Sequence, residues 1–210
     1  AGCTGVGAGV DAASTPRSSP TSPAAGTAVP TPPAETPAPD APAPTAEATP
    51  EPAVPVIEPL PVGSPPTAVT IPAMELSEPL IDLGLQQDGT MEVPSDFSEV
   101  GWYTGGGKPG GIGPTVIAGH VDSSSGPAVF YRLRELVIGD TVQVNAADGS
   151  VVDYTVYRTE SFAKAEFPTG DVFGALPVDE LRLITCAGRF DTSIGHYDDN
   201  LVVYAAPTAR

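Results

Sequence analysis

Residues 141–162 read TVQVNAADGSVVDYTVYRTESF: two β-type runs, Thr141–Asn145 and Val151–Phe162, joined across the turn dipeptide Asp148-Gly149. Valine, threonine and tyrosine suit a pleated, half-buried surface, and Asp-Gly supplies the positive φ of a tight hairpin turn. Outward from this hairpin the same punctuation recurs. Further strands are predicted at Ala68–Ile71, Thr90–Val93 (after Asp88-Gly89), Thr115–Val121, Leu181–Cys186 and Leu201–Ala205, with a short helix over Ala128–Leu136. Several short strands with at most one or two helices predict an all-β barrel or sandwich. The glycine-rich TGGGKPGGIGP (Thr104–Pro114) lacks the Gly-Lys-Ser/Thr ending of a phosphate loop and opens no helix, so it is expected as a flexible surface loop.

Composition divides the 210 residues in two. Seventeen of the 26 prolines fall in residues 1–67, which contain no Phe, Tyr or Trp. Such a stretch buries too little apolar surface to offset its chain entropy and is expected to be a disordered Pro/Ala/Thr/Glu-rich tether, biased to polyproline II. Its reach runs from about 45 Å as a coil to roughly 200 Å extended, enough to hold a domain away from a membrane. Residues 68–210 hold every aromatic and form the expected folded domain.

The net charge of −17 excludes polyanion recognition, since no cluster of Lys and Arg could neutralise phosphates. Nucleic acid is therefore not an expected partner. The two cysteines, Cys3 and Cys186, form no Cys-x-x-Cys pair and no zinc-spaced cluster. Asp191, Asp198 and Asp199 match no calcium-loop spacing, and neither a metal nor another cofactor is expected. Ala1-Gly2-Cys3 resembles the end of a bacterial lipobox, which makes Cys3 a lipidation candidate. The other explanation of the same residues is a stub of a removed transmembrane or signal segment.

Two residues stand out for chemistry. His120 closes the apolar run TVIAGH and Cys186 closes ELRLITC. Singly, each reads as an edge histidine or a small buried hydrophobe. Together they are what a thiolate enzyme requires. A thiol titrates near ~8.5, a neighbouring imidazolium makes its thiolate accessible at neutral pH, and the same histidine can protonate a leaving amine. A cation or hydrogen-bond donor must also face the developing oxyanion. After Cys186 the arginines are Arg189 and Arg210, which makes Arg189 the candidate. His196, in the polar SIGHYDDN, is expected to be dispensable.

The blocks TVIAGHVDSSSGPAVFYRLRELVIGDTVQV (115–144), LRLITCAGRFD (181–191) and GHYDDNLVVYA (195–205), with IPAMELSEPLIDLGLQQDGTMEVPSDFSEVGWY (71–103) upstream, resemble a sortase catalytic domain, closest to the actinobacterial class F type. The resemblance spans about residues 68–206. It implies a closed β-barrel and a cysteine transpeptidase. Cys186 would attack the Thr–Gly bond of a Leu-Pro-x-Thr-Gly-like sorting signal, His120 would be the acid/base, and Thr185 would line the substrate cleft. The thioacyl intermediate would pass to an amine of the cell-wall peptide or a pilin lysine, anchoring surface proteins outside a membrane to which the N-terminal segment tethers the enzyme. Two positions depart from the pattern. Asp199-Asn200 stand before LVV where many sortases carry the arginine, and Ala187 replaces the glycine after the cysteine. Arg189, Asn200 as a neutral donor, or an arginine from elsewhere such as Arg132 could fill the arginine's place.

Two other classes fit parts of the pattern. An L,D-transpeptidase-like peptidoglycan cross-linker is also a cysteine acyl-transfer enzyme, but Ile184-Thr185 stand where that group carries a Ser-x-Gly-Cys block. A catalytically silent surface peptide-binding domain would keep the fold and explain the displaced arginine.

Overall fold

The computed structural model describes residues 60–209. The expectations of a disordered tether and of a lipidated Cys3 fall on residues outside the described ones, apart from the short stretch before the first strand. Ten strands are formed among the described residues: β1 (Pro66–Ile71), β2 (Leu76–Leu83), β3 (Val100–Tyr103), β4 (Gly113–Gly119), β5 (Asp122–Ser123), β6 (Gly126–Pro127), β7 (Thr141–Ala146), β8 (Val151–Ala163), β9 (Asp179–Asp191) and β10 (His196–Pro207). One short helix, α1 (Thr169–Phe173), lies between β8 and β9. Eight strands close into a barrel in the order β1-β2-β3-β4-β9-β10-β8-β7, and β5 pairs with β6 outside it. Closure removes the sheet edges that an open all-β fold would expose.

Alternation of side chains sorts the core. Ile117, Leu181, Leu183, Leu201 and Val203 join Val69, Val100, Val142 and Tyr154 in one cluster fed from around the barrel, which is its interior. Their neighbours Val116, Ala118, Ile184, Val202 and Tyr204 face the opposite way and are covered by Val172 of α1 with Phe167 and Phe173. Both faces of β4 are therefore shielded, and all seven of its residues are buried. A strand covered on both faces reads as a continuous apolar run, as TVIAG does.

The predicted hairpin is present: β7 and β8 pair antiparallel, Val144 opposite Val152, and Gly149 at the turn has φ +84°. Several elements differ from expectation. Thr90–Val93 forms no strand. Thr90 N–H and hydroxyl both donate to Asp88 Oδ1, and only the bridge Leu85–Met91 survives. The predicted helix at 128–136 is a 3-10 turn, Tyr131–Glu135. Glycine-rich 104–114 is anchored: Gly107 N–H donates to Pro114 O (2.8 Å) and Gly110 N–H to Asp179 Oδ2 (2.9 Å). β9 and β10 also run past their predicted ends as a two-stranded arm, closed by a turn in which Gly195 N–H donates to Asp191 O. Arg189 and His196, which fall outside the predicted strands, thus lie on strands.

Candidate active site

β4 and β9 are parallel neighbours, with Ile117 opposite Leu183 and Ala118 opposite Ile184. Beyond that register, Thr185 Oγ1 donates to Gly119 O at 2.8 Å and is buried. The next residue on each chain is His120 and Cys186. Parallel pairing brings the same ends of two strands together, so residues 66 apart in sequence finish at one rim of the barrel. Gly119 leaves room for the segment that packs on the end of β4: a Cβ there would stand 2.9 Å from Val129 Cγ1 and 3.0 Å from Phe130 Cδ2.

His120 is 5 % exposed. Its Nε2 lies 2.7 Å from Pro94 O, and its ring tilts against Phe97 with centroids 4.7 Å apart. A carbonyl only accepts, so Nε2 carries a proton and Nδ1 is the nitrogen left to exchange one. Asp96, two residues after that carbonyl, has its carboxyl held below the usual range, first by the Ser98 N–H and hydroxyl and last by the charge of His120.

Cys186 is 3 % exposed by surface area and borders a cavity of about 330 Å³. Thr185, Ala187, Phe130, Arg134 and Tyr197 also line it. The Tyr197 phenol donates to Asp122 Oδ2, which ties the arm to β5 and pushes the phenol pKa up to about 12, chiefly through that bond. Across the sheet, Cys186 pairs with Asn200 of β10, and Asn200 with Phe162 of β8. Asn200 is buried and stands opposite Cys186 in that register.

The sequence also missed a contact. Lys164, the first residue after β8, places Nζ 3.6 Å from Cys186 Sγ. Lys108 and Lys164 are the two lysines of a chain of net charge −17, and that scarcity was the signal available.

The arginines proposed from the sequence, Arg189 and Arg132, go elsewhere. Arg189 is 84 % exposed in its side chain, with Nε 4.0 Å from Asp198 Oδ2, and it does not line the cavity. Gly188-Arg189 oppose the single residue Asp198 in a β-bulge, where Gly188 has φ +79° and a Cβ would collide with the Asp198 carboxylate. Arg132 pairs with Glu135 (2.9 Å) and donates to the carbonyls of Met74 and Ala73, bracing one 3-10 turn on another. His196 opens β10, its Nδ1 3.0 Å from Tyr197 O. Among the described residues no group of three or more His, Cys, Asp or Glu could hold a metal ion, and no helix is long and apolar enough to cross a membrane.

The family model for the sortase domain matches residues 69–208. Among solved structures, sortase C-1 from Actinomyces oris is 24% identical with a TM-score of 0.52, over 69% of this chain and 74% of that one. Sortase C from Streptococcus pneumoniae is 22% identical with a TM-score of 0.52, covering 68% and 66%. A lid mutant of sortase A from Corynebacterium diphtheriae is 18% identical with a TM-score of 0.53, covering 69% and 70%. No curated protein matches.

Proposed function

The chain belongs to the sortase family of cysteine transpeptidases, and on that premise we propose that Cys186 and His120 cleave a Leu-Pro-x-Thr-Gly-like sorting signal between Thr and Gly. The observation that carries this is the parallel β4–β9 seam, which ends in Gly119-His120 on one strand and Thr185-Cys186 on the other. In the reduced enzyme the Cys186 thiolate attacks the threonine carbonyl carbon. A C–S bond forms and the carbonyl π pair moves onto oxygen. Collapse of that oxyanion breaks the C–N bond, and the glycine amine leaves with the proton held by the His120 imidazolium. An incoming amine then gives a proton to His120 and attacks the thioester; the C–S bond breaks and the Cys186 thiolate is released beside the restored imidazolium.

The accepting amine belongs to a cell-wall peptide or a pilin lysine, and the enzyme works on the outer face of a membrane, held by its N-terminal segment. The likeness to class F sortases of actinobacteria belongs to the same proposal. Thr185 contributes as a wall of the cleft; its hydroxyl is already engaged by Gly119 O.

The test uses the full chain, reduced, with a fluorogenic Leu-Pro-x-Thr-Gly peptide library and an added amine. Cleavage after Thr, with a thioacyl mass on the Cys186 peptide, is the expected result. Peptide binding without adduct or cleavage by the folded protein would overturn the proposal and leave a silent binding domain.

A further inference from the structure

Three adjacent strands converge on the nucleophile. Ala163, the last residue of β8, is opposite Asp199 of β10, and Asp199 is opposite Ala187 of β9. One position earlier the same row reads Phe162, Asn200, Cys186. Strand side chains alternate, so the residue two beyond Phe162 projects to the face that carries Phe162 and Cys186. That residue is Lys164, where β8 gives way to the 3-10 turn Lys164–Glu166. Its stem crosses over β10, and Nζ comes to 3.6 Å from Sγ.

We propose that Lys164 is the cationic catalytic residue of this enzyme, holding the Cys186 thiolate and the oxyanion formed beside it. The inference rests on the reading of Cys186 as the nucleophile. A lysine ammonium is a compact charge with three donors, so it can face sulfur and the adjacent carbonyl oxygen without rearranging.

The competing cations are placed differently. Arg189 points into solvent beside Asp198. Arg134 does line the cavity, but its guanidinium stacks on the Tyr131 ring at 4.0 Å and its Nε donates to Tyr131 O. The charges that act on Lys164 are the carboxylates of Asp198 and Asp199 on β10. Desolvation outweighs them and pulls the ammonium below the ordinary lysine range. A cation that is partly desolvated acts more strongly on a neighbouring anion than one in water.

Lys164→Met, Lys164→Gln and Lys164→Arg test the assignment in the full chain, reduced and then freed of reductant. Iodoacetamide modification of the Cys186 peptide, read by mass so that Cys3 is counted apart, gives the pH midpoint of thiolate formation. A nearby cation lowers that midpoint, so its loss in the Met and Gln variants raises it by about one pH unit or more. Acylation by the sorting peptide falls roughly a hundredfold in kcat/KM, the scale of a lost oxyanion donor. Arginine restores most of both. Gln keeps the polarity and most of the length, so it decides the matter should the Met variant not fold.

A midpoint and kcat/KM within about twofold of the parent in the folded Gln variant would overturn the proposal. The two readouts separate this proposal from the one beneath it. If the parent cleaves no sorting peptide but the alkylation midpoint still moves, the substrate reading fails and the Lys164–Cys186 interaction stands. If the parent cleaves and neither readout moves, Lys164 falls and the transpeptidase remains.

Discussion

The β9–β10 ribbon is two different materials along its length. From Leu181 to Cys186 and from Asn200 to Ala205 every residue is buried, each strand held on both sides by a neighbour. From Ala187 to Tyr197, around and past the bulge at Gly188, the two strands pair only with each other, and their side chains are half-buried or exposed. Cys186 is the last residue of the first part, and Arg189, three positions on, belongs to the second. Nearness in sequence therefore failed to bring a cation to Cys186. Register across the barrel succeeded, because it delivered Lys164 from 22 residues away.

This contrast can be broken in four places, with a fifth substitution as control. Cys186→Ala should abolish peptide cleavage, a loss of at least about a thousandfold, while circular dichroism stays parental. Cleavage at the parent rate would show that the buried half of the ribbon carries no nucleophile. His120→Ala should lower kcat/KM by about 10²- to 10⁴-fold, the range for a general acid–base. His196→Ala, on the arm, is the control, and equal losses in both would mean that the wrong imidazole has been assigned.

Leu183→Ala removes a fully buried side chain from the barrel interior. It should cost about 3 kcal/mol in urea unfolding, transfer and cavity contributions together, and a cost near zero would mean that this part of the ribbon is not core. The smallest effect is expected at the arm: Arg189→Ala breaks a long, exposed ion pair and should change kcat/KM by less than about fivefold. A hundredfold loss would return the cationic role to Arg189.

What the sequence revealed followed from how strongly each element is specified locally. The β7–β8 hairpin was legible because Asp148-Gly149 dictates a turn and valines flank it. His120 and Cys186 were legible because each closes an apolar run that is buried on both faces. β2 was missed: LSEPLIDL carries Pro79 and two acids, and most of its residues are half-buried or exposed, so neither composition nor period marks it. β3 was missed because VGWY is four residues long with a glycine inside. The bulge at Gly188 and the reach of Lys164 depend on pairing between strands, which no local pattern encodes. The resemblance to sortases supplied the closed barrel itself, where unaided pattern reading stopped at barrel or sandwich.

The parallel seam has a kinetic consequence. Val69 opposite Val144, and Ile117 opposite Leu183, close loops of 75 and 66 residues. Such non-local pairings place β-barrels among slow-folding topologies, on the scale of milliseconds to seconds. His120 and Cys186 come to the same rim of the barrel only when the second of those loops is shut. Cys186 therefore stays unassembled until β9 has docked on β4, and catalytic power arrives together with the completed fold.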